Sequence, residues 1–205
     1  DFYKYFPFSR SNENKLYIFF QRTFDILLAI IGLTAGVLIL PFILIGNMLG
    51  NKGPLLYTQE RIGRNGKPFK IIKLRTMIVN AEEDGVKWAK KDDKRITKFG
   101  KFLRRSRLDE IPQFFNVIKG EMSLVGPRPL FKEDTEKYDV NYMRRLNVLP
   151  GITGLLQITD RNAPEFQTWY KYDIEYIENW SLGLDLKIIF KTPFSLIKNK
   201  NTKGV

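Results

Sequence analysis

The chain contains neither cysteine nor histidine among its 205 residues. The first absence excludes disulfides, thiolate nucleophiles and thiolate metal sites. The second excludes histidine-based triads and histidine general bases. Chemistry must come from carboxylates, Lys, Tyr, Ser, Thr, or a metal held by oxygen ligands, and magnesium suits the last. A cysteine-free chain is compatible with a cytoplasmic face. Negative charge is also scarce: 22 Asp and Glu stand against 34 Lys and Arg, a net charge of +12. Such an excess points to polyanionic partners, whether nucleic acid, anionic lipid or phosphorylated substrates. What is present is enough apolar material, 43% of residues, for one domain of ordinary size with a core. Residue 1 is Asp, not Met, which suits a segment of a longer polypeptide or a trimmed chain.

No charge falls between Asp25 and Lys52, and residues 26–50 read ILLAIIGLTAGVLILPFILIGNMLG. At about 1.5 Å per residue this run can cross a hydrocarbon core of about 30 Å. Pro41 interrupts it, and both flanks are basic: Lys15 and Arg22 before, Lys52, Arg61, Arg64 and Lys67 after. Basic flanks favour the cytoplasmic side, so the residues admit two topologies. One is a segment that enters and leaves by the same leaflet and bends at Pro41. The other is a single kinked span, which membrane helices tolerate.

Beyond it, the alternation around GRNGKP predicts a hairpin with strand-like 55–59 and 69–74 and Asn65-Gly66 in the turn. Residues 80–95 are polar, helix or loop, with charges expected on a solvated face. Ile111, Phe114, Phe115 and Ile118 recur at helical spacing, and Gly120 stops that helix. KEDTEKYDVNYMRRLNVL reads as a helix ended by PGITG. The aromatic stretch to Lys198 reads as largely helical, its last part being core or a helix on an anionic membrane surface.

In SRLDEIPQFFN, Asp109 and Glu110 sit side by side at an expected helix start, with Pro112 in the first turn. A capped helix with acids in its first turn is the ordinary reading. The surroundings favour another. Lys101, Arg104, Arg105 and Arg107 lie just upstream and are expected to lower the carboxylate pKa values and bind phosphate. Arg128 stands between two prolines in GPRP, Lys73 and Arg75 lie in KLRTM, and Arg161 lies in TDRN. Neighbouring helix residues do not share a face, so the acids suit two tasks, a nucleophile and a metal ligand, rather than a proton-sharing dyad. These are the parts for phosphoryl transfer.

The motifs QRTFDILLA, TQERIGRNGKPFKIIKLRTM, DKRITKFGKFLR, SRLDEIPQFFNVIKGEMSLVGPRP, LPGITGLLQ and LDLKII follow in order over about residues 20–195. Together they resemble the bacterial sugar transferases, or monotopic phosphoglycosyl transferases. The resemblance implies a mainly α fold with a small β-hairpin: an extension over 1–14, a re-entrant membrane helix over 15–50 broken at Pro41, and a catalytic domain over 51–205. It implies transfer of a sugar 1-phosphate from a UDP-sugar to polyprenol phosphate, giving a polyprenyl-diphosphate sugar and UMP. The implied site is at the cytoplasmic face of the bacterial inner membrane. Asp109 would carry a covalent phosphosugar, Glu110 with Asp109 would hold Mg2+, and Lys73, Arg104, Arg128 and Arg161 would bind phosphate. Arg75 and Gln157 complete the expected substrate contacts. Leu149, Leu155 and Asp160 depart from the family pattern near the expected donor pocket. A homodimer is left open, as is a role as the catalytic module of a longer multi-span transferase. The rival, a membrane-tethered nucleic-acid-binding protein, fits the charge but has no binding motif.

Overall fold

A computed structural model describes residues 15–83, 85, 89, 93–135, 141–160 and 166–198. The expected extension over 1–14 and Arg161 lie outside them. The described chain is mostly helical. Helix α1 covers Lys15–Gly50, a two-stranded antiparallel sheet pairs β1 (Leu56–Ile62) with β2 (Pro68–Leu74), and α2 covers Lys98–Ser106. Then come α3 (Gln113–Lys119), β3 (Ser123–Val125), α4 (Lys132–Thr135), β4 (Gly151–Thr153), α5 (Leu155–Thr159), α6 (Phe166–Glu178) and α7 (Leu182–Lys198).

The hairpin forms as its pattern predicts. Asn65 and Gly66 both take positive φ, 56° and 71°, as a tight turn of this hand requires. Gly120 ends α3 with φ 83°, its N–H donating to the Val117 carbonyl. Two expectations change. The predicted helix over 132–149 is only α4 plus a 3-10 stretch, Tyr142–Asn147, with 136–140 outside the described residues. The apolar stripe of α3 is also not its buried face: Phe115 and Ile118 are exposed, while Gln113, Asn116 and Val117 are buried. Asn116 supplies the reason. Its Oδ1 accepts from the Ile72 N–H (3.1 Å), and its Nδ2 donates to the Lys70 carbonyl (2.8 Å) and Glu121 (2.7 Å). The polar face of α3 thus completes the open edge of β2.

Of the stripe, Ile111 and Phe114 pack against α1. That helix is 36 residues long, about 54 Å, and apolar enough to cross a membrane, with Pro41 inside it. Only 11% of its most apolar stretch is buried by the rest of the chain. It holds two glycine pairs at i, i+4. A Cβ on Gly32 or Gly36 would lie 2.4 Å from Phe114 or 2.6 Å from Ile111, and one on Gly46 would lie 2.2 Å from Phe99. Side chains of α3 and α2 therefore seat directly on the helix backbone, as small residues allow between membrane helices. Near its start, Tyr17 and Gln21 donate to Asp185, Arg22 to the Ile118 carbonyl, and Asp25 accepts from the Leu124 N–H. Near its end, Ile43 packs with Leu74 and Leu103, and Asn51 donates to the Arg75 carbonyl.

Asn116→Ala removes three hydrogen bonds from a fully buried side chain and should cost about 2–3 kcal/mol. Thermal unfolding in lipid nanodiscs measures this; an unchanged melting point would show that α3 is held by its apolar contacts alone.

Candidate active site

The chain turns sharply between α2 and α3. Arg107 caps α2 in the left-handed region (φ 60°), which costs an L-residue about 1–2 kcal/mol. Leu108–Glu110 then form a single 3-10 turn, and Pro112 caps α3. Asp109 and Glu110 sit in this turn, both buried, and both line a cavity of about 210 Å³. Around them in the same cavity are Lys73, Arg104, Arg107 and Arg128. Glu110 pairs with Arg107 at 2.7 Å and with Arg128 at 3.5 Å. Arg104 is steadied by Thr76, to whose hydroxyl its Nε donates at 2.8 Å. Asp109 differs: its Oδ1 is buried and has no hydrogen-bond partner among the described residues.

Burial reverses one expectation from sequence. The nearby cations do not hold Asp109 low; its carboxyl is raised to about 6, chiefly by desolvation and then by Glu110, against Lys73, Arg107 and Arg104. Desolvation, with Arg128 adding to it, also brings the Lys73 ammonium down to about 7 while both acids oppose the shift.

Of the expected residues, Asp109, Glu110, Lys73, Arg75, Arg104 and Arg128 come together around one cavity. Arg75, however, spends its guanidinium elsewhere. It donates to the carbonyls of Pro54 and Met77, both at 2.7 Å, and to the backbone and side chain of Asn51. It thereby ties the cavity wall to the end of α1. Gln157 is buried on α5, outside the residues that line the cavity. Sequence reading missed Tyr57, Gln59, Arg61 and Glu82, all on the cavity wall. The alternation in YTQER was the available signal, since residues two apart share a sheet face. Arg61 lies 3.4 Å over the Phe131 ring, and burial lowers its pKa to about 9. Glu82, expected on a solvated face, is half-buried on the cavity wall.

Arg128 is positioned from behind. Strands β3 and β4 pair in parallel, and the Gly126 N–H donates to the Thr153 carbonyl, the Gly151 N–H to the Pro127 carbonyl, both at 2.9 Å. The two backbones touch: a Cβ on Gly151 would lie 2.1 Å from the Gly126 nitrogen. The Arg128 carbonyl accepts from Arg145, which is itself held by Asp173 (3.0 Å) and by the Tyr142 hydroxyl (2.6 Å).

A sequence model described as bacterial sugar transferase matches residues 16–199. The chain is similar to the galactosyl transferase CpsE of Streptococcus agalactiae serotype III, 44% identical over 184 residues, 84% of this chain and 41% of that protein. It is similar to a UDP-glucose:undecaprenyl-phosphate glucose-1-phosphate transferase of Klebsiella pneumoniae, 43% identical over 207 residues, 95% of this chain and 44% of that protein. The exopolysaccharide production protein ExoY of Sinorhizobium fredii is 40% identical over 189 residues, 84% of this chain and 83% of that protein. The chain thus spans about two fifths of the first two relatives and most of the third.

Asp173 is raised to about 6, chiefly by burial and against the pull of Arg145. An unfolded aspartate titrates near 3.8. The folded protein therefore binds this proton more tightly, and stability should rise as pH falls from about 6 to about 4. Asp173→Asn should flatten that slope relative to wild type; identical slopes would place Asp173 in ordinary solvent. Asp185, also raised to about 6 by burial, adds a slope of the same sign to both proteins.

Proposed function

The chain belongs to the bacterial sugar transferase family, and from that premise we propose that it moves a sugar 1-phosphate from a UDP-sugar to polyprenol phosphate by way of Asp109. One observation carries the reading: a buried carboxylate oxygen with no partner among the described residues, Asp109 Oδ1, inside a cavity lined by six cations, Lys73, Arg104, Arg107 and Arg128 among them. An acid placed only to neutralise those cations would be paired with them, as Glu110 is.

In the first step an Asp109 oxygen attacks the donor phosphorus that carries the sugar. A P–O bond to Asp109 forms, the P–O bond of the diphosphate bridge breaks, and UMP leaves with that electron pair. In the second step a phosphate oxygen of the polyprenol phosphate attacks the same phosphorus. The product is a polyprenyl-diphosphate sugar, and the Asp109 carboxylate is regenerated. Desolvation suits Asp109 to this task, because a poorly solvated carboxylate has less water to shed on attack. Lys73, Arg104 and Arg128 hold the phosphate oxygens and offset charge as it builds on them. Arg107 and Arg128 keep Glu110 in place. The acceptor phosphate is already anionic, so no base is required.

The two carboxylates also fit Mg2+. Among the described residues no three acids converge on one point, but Mg2+ commonly takes one or two protein carboxylates and completes its shell with substrate phosphates and water. Asp109 and Glu110 would hold it, and when bound it would neutralise the diphosphate.

We infer a membrane helix over 15–50 that enters and leaves by one face, with the catalytic domain over 51–205 on the cytoplasmic side. Three features support this. The helix is longer than one crossing needs, with Pro41 lacking the N–H that would bond the Val37 carbonyl. The domain grips it at Tyr17–Asp25 and again at Ile43–Asn51, and one domain cannot occupy both sides of a bilayer. Exposed Phe102, Phe115, Phe190 and Phe194 on α2, α3 and α7 give the domain apolar surface for the lipid.

Intact mass after incubation with UDP-sugars and Mg2+, without lipid acceptor, should show one added sugar phosphate, absent in Asp109→Asn. An adduct that persists in the variant removes Asp109 as nucleophile. Because the chain has no cysteine, Lys15→Cys and Lys52→Cys each give a single label site. Both should react with an impermeant thiol reagent only when the cytoplasmic face is open; labelling from opposite faces would establish a single span.

A further inference from the structure

Away from Asp109 the cavity has a second end of different chemistry, where an acid, Glu82, joins the cation Arg61. Tyr57, Gln59 and Arg61 alternate along the inner face of β1, and Tyr57 lies opposite Lys73 in the hairpin register. The second end therefore begins one cross-strand step, about 5 Å, from the phosphate-binding lysine. The Tyr57 hydroxyl donates to Glu82 at 2.7 Å, and Gln59 Nε2 donates to the other carboxylate oxygen at 3.1 Å. Arg61 donates to Gln59 Oε1 at 2.8 Å, which leaves the amide N–H groups to face Glu82. Glu82 reaches this place from the turn after β2, and Tyr57, Gln59 and Glu82 all line the cavity that holds Asp109.

A carboxylate accepts about four hydrogen bonds. Among the described residues each Glu82 oxygen receives one from the hairpin, which leaves further acceptor sites on a group held in a fixed pose. Its charge repels phosphate, so it cannot extend the cation cluster. It suits a neutral hydrogen-bond donor, above all a hydroxyl, as acidic residues that read ribose hydroxyls do. A UDP-sugar offers hydroxyls at both ends, on the ribose and on the sugar.

We propose that Glu82, positioned by Tyr57 and Gln59, receives hydroxyl groups of the nucleotide sugar and fixes which way the donor lies across Asp109. The proposal rests on the UDP-sugar reading above. It gives the cavity two poles, cationic for the diphosphate and anionic for hydroxyls. The diphosphate then has only one direction in which to lie.

The test compares wild type, Glu82→Gln and Tyr57→Phe in nanodiscs, with UMP, pyrophosphate and a panel of UDP-sugars as probes. Loss of one hydrogen bond to a charged group should weaken the affected ligand about tenfold or more. If Glu82 reads the ribose, UMP binding weakens in Glu82→Gln while pyrophosphate binding stays within about twofold. If it reads the sugar, UMP binding is unchanged, but KM for the UDP-sugar rises and preference among sugar epimers shifts. Tyr57→Phe, which frees one side of the carboxylate, should move the same ligand in the same direction by less. Folded variants whose UMP binding and UDP-sugar KM both stay within about twofold of wild type would overturn the proposal and leave Glu82 a staple between turn and hairpin. A wild-type protein that binds none of the three probes would instead overturn the nucleotide-sugar reading, and this inference with it.

Discussion

Gly126 and Gly151 bring two backbones into direct contact, and the position of Arg128 depends on that contact. A side chain at either residue would have to occupy space held by the opposing main chain. With both bare, VGPRP and PGITG lie close enough for parallel hydrogen bonds between strands of only three residues. Two prolines restrict the backbone on either side of Arg128, and Arg145 takes hold of its carbonyl from behind. The Arg128 side chain then has little left to choose and reaches Glu110. Positioning a long, flexible cation this way makes its entropy cost a cost of folding rather than of binding.

The same region shows why cations alone do not decide the state of an acid. Asp109 has Lys73, Arg104 and Arg107 nearby, yet burial and Glu110 outweigh them and its pKa rises. Lys73 shows the converse, lowered by the same dry surroundings despite two neighbouring carboxylates. Acid and base move toward each other, so in the proposed reaction the site can change its charge distribution at small cost when the anionic donor arrives. A pocket open to water would screen these effects away.

Local features were legible in the sequence. The hairpin turn followed from Asn65-Gly66, the end of α3 from Gly120, the long apolar helix from its uncharged length, and the buried acid pair from Asp109-Glu110 beside clustered arginines. What escaped depended on distant partners. Asn116 reads as a polar interruption of an apolar stripe until β2 offers it an open edge. The pairing of β3 with β4 joins segments too short to carry a strand pattern. Glu82 reads as one charge in a polar loop, and only the alternation of Tyr57 and Gln59 hinted that the hairpin wall was polar by intent. Arg75 carried the opposite risk: its motif suggested a substrate contact, while its guanidinium is engaged by Asn51, Pro54 and Met77.

That use of Arg75 has a consequence for where the reaction takes place. Its backbone carbonyl is bonded to Asn51 and its side chain to Asn51, Pro54 and Met77, while Leu74, Thr76 and Met77 beside it form the cavity wall. In the proposed setting the membrane helix and the reaction chamber therefore share one stretch of main chain, with no spacer between them. The bilayer becomes a ruler: the depth at which the helix settles sets the height of Asp109 above the lipid. A headgroup diffusing in the plane would arrive at the altitude of the nucleophile, and the search for an acceptor would shrink from three dimensions to two.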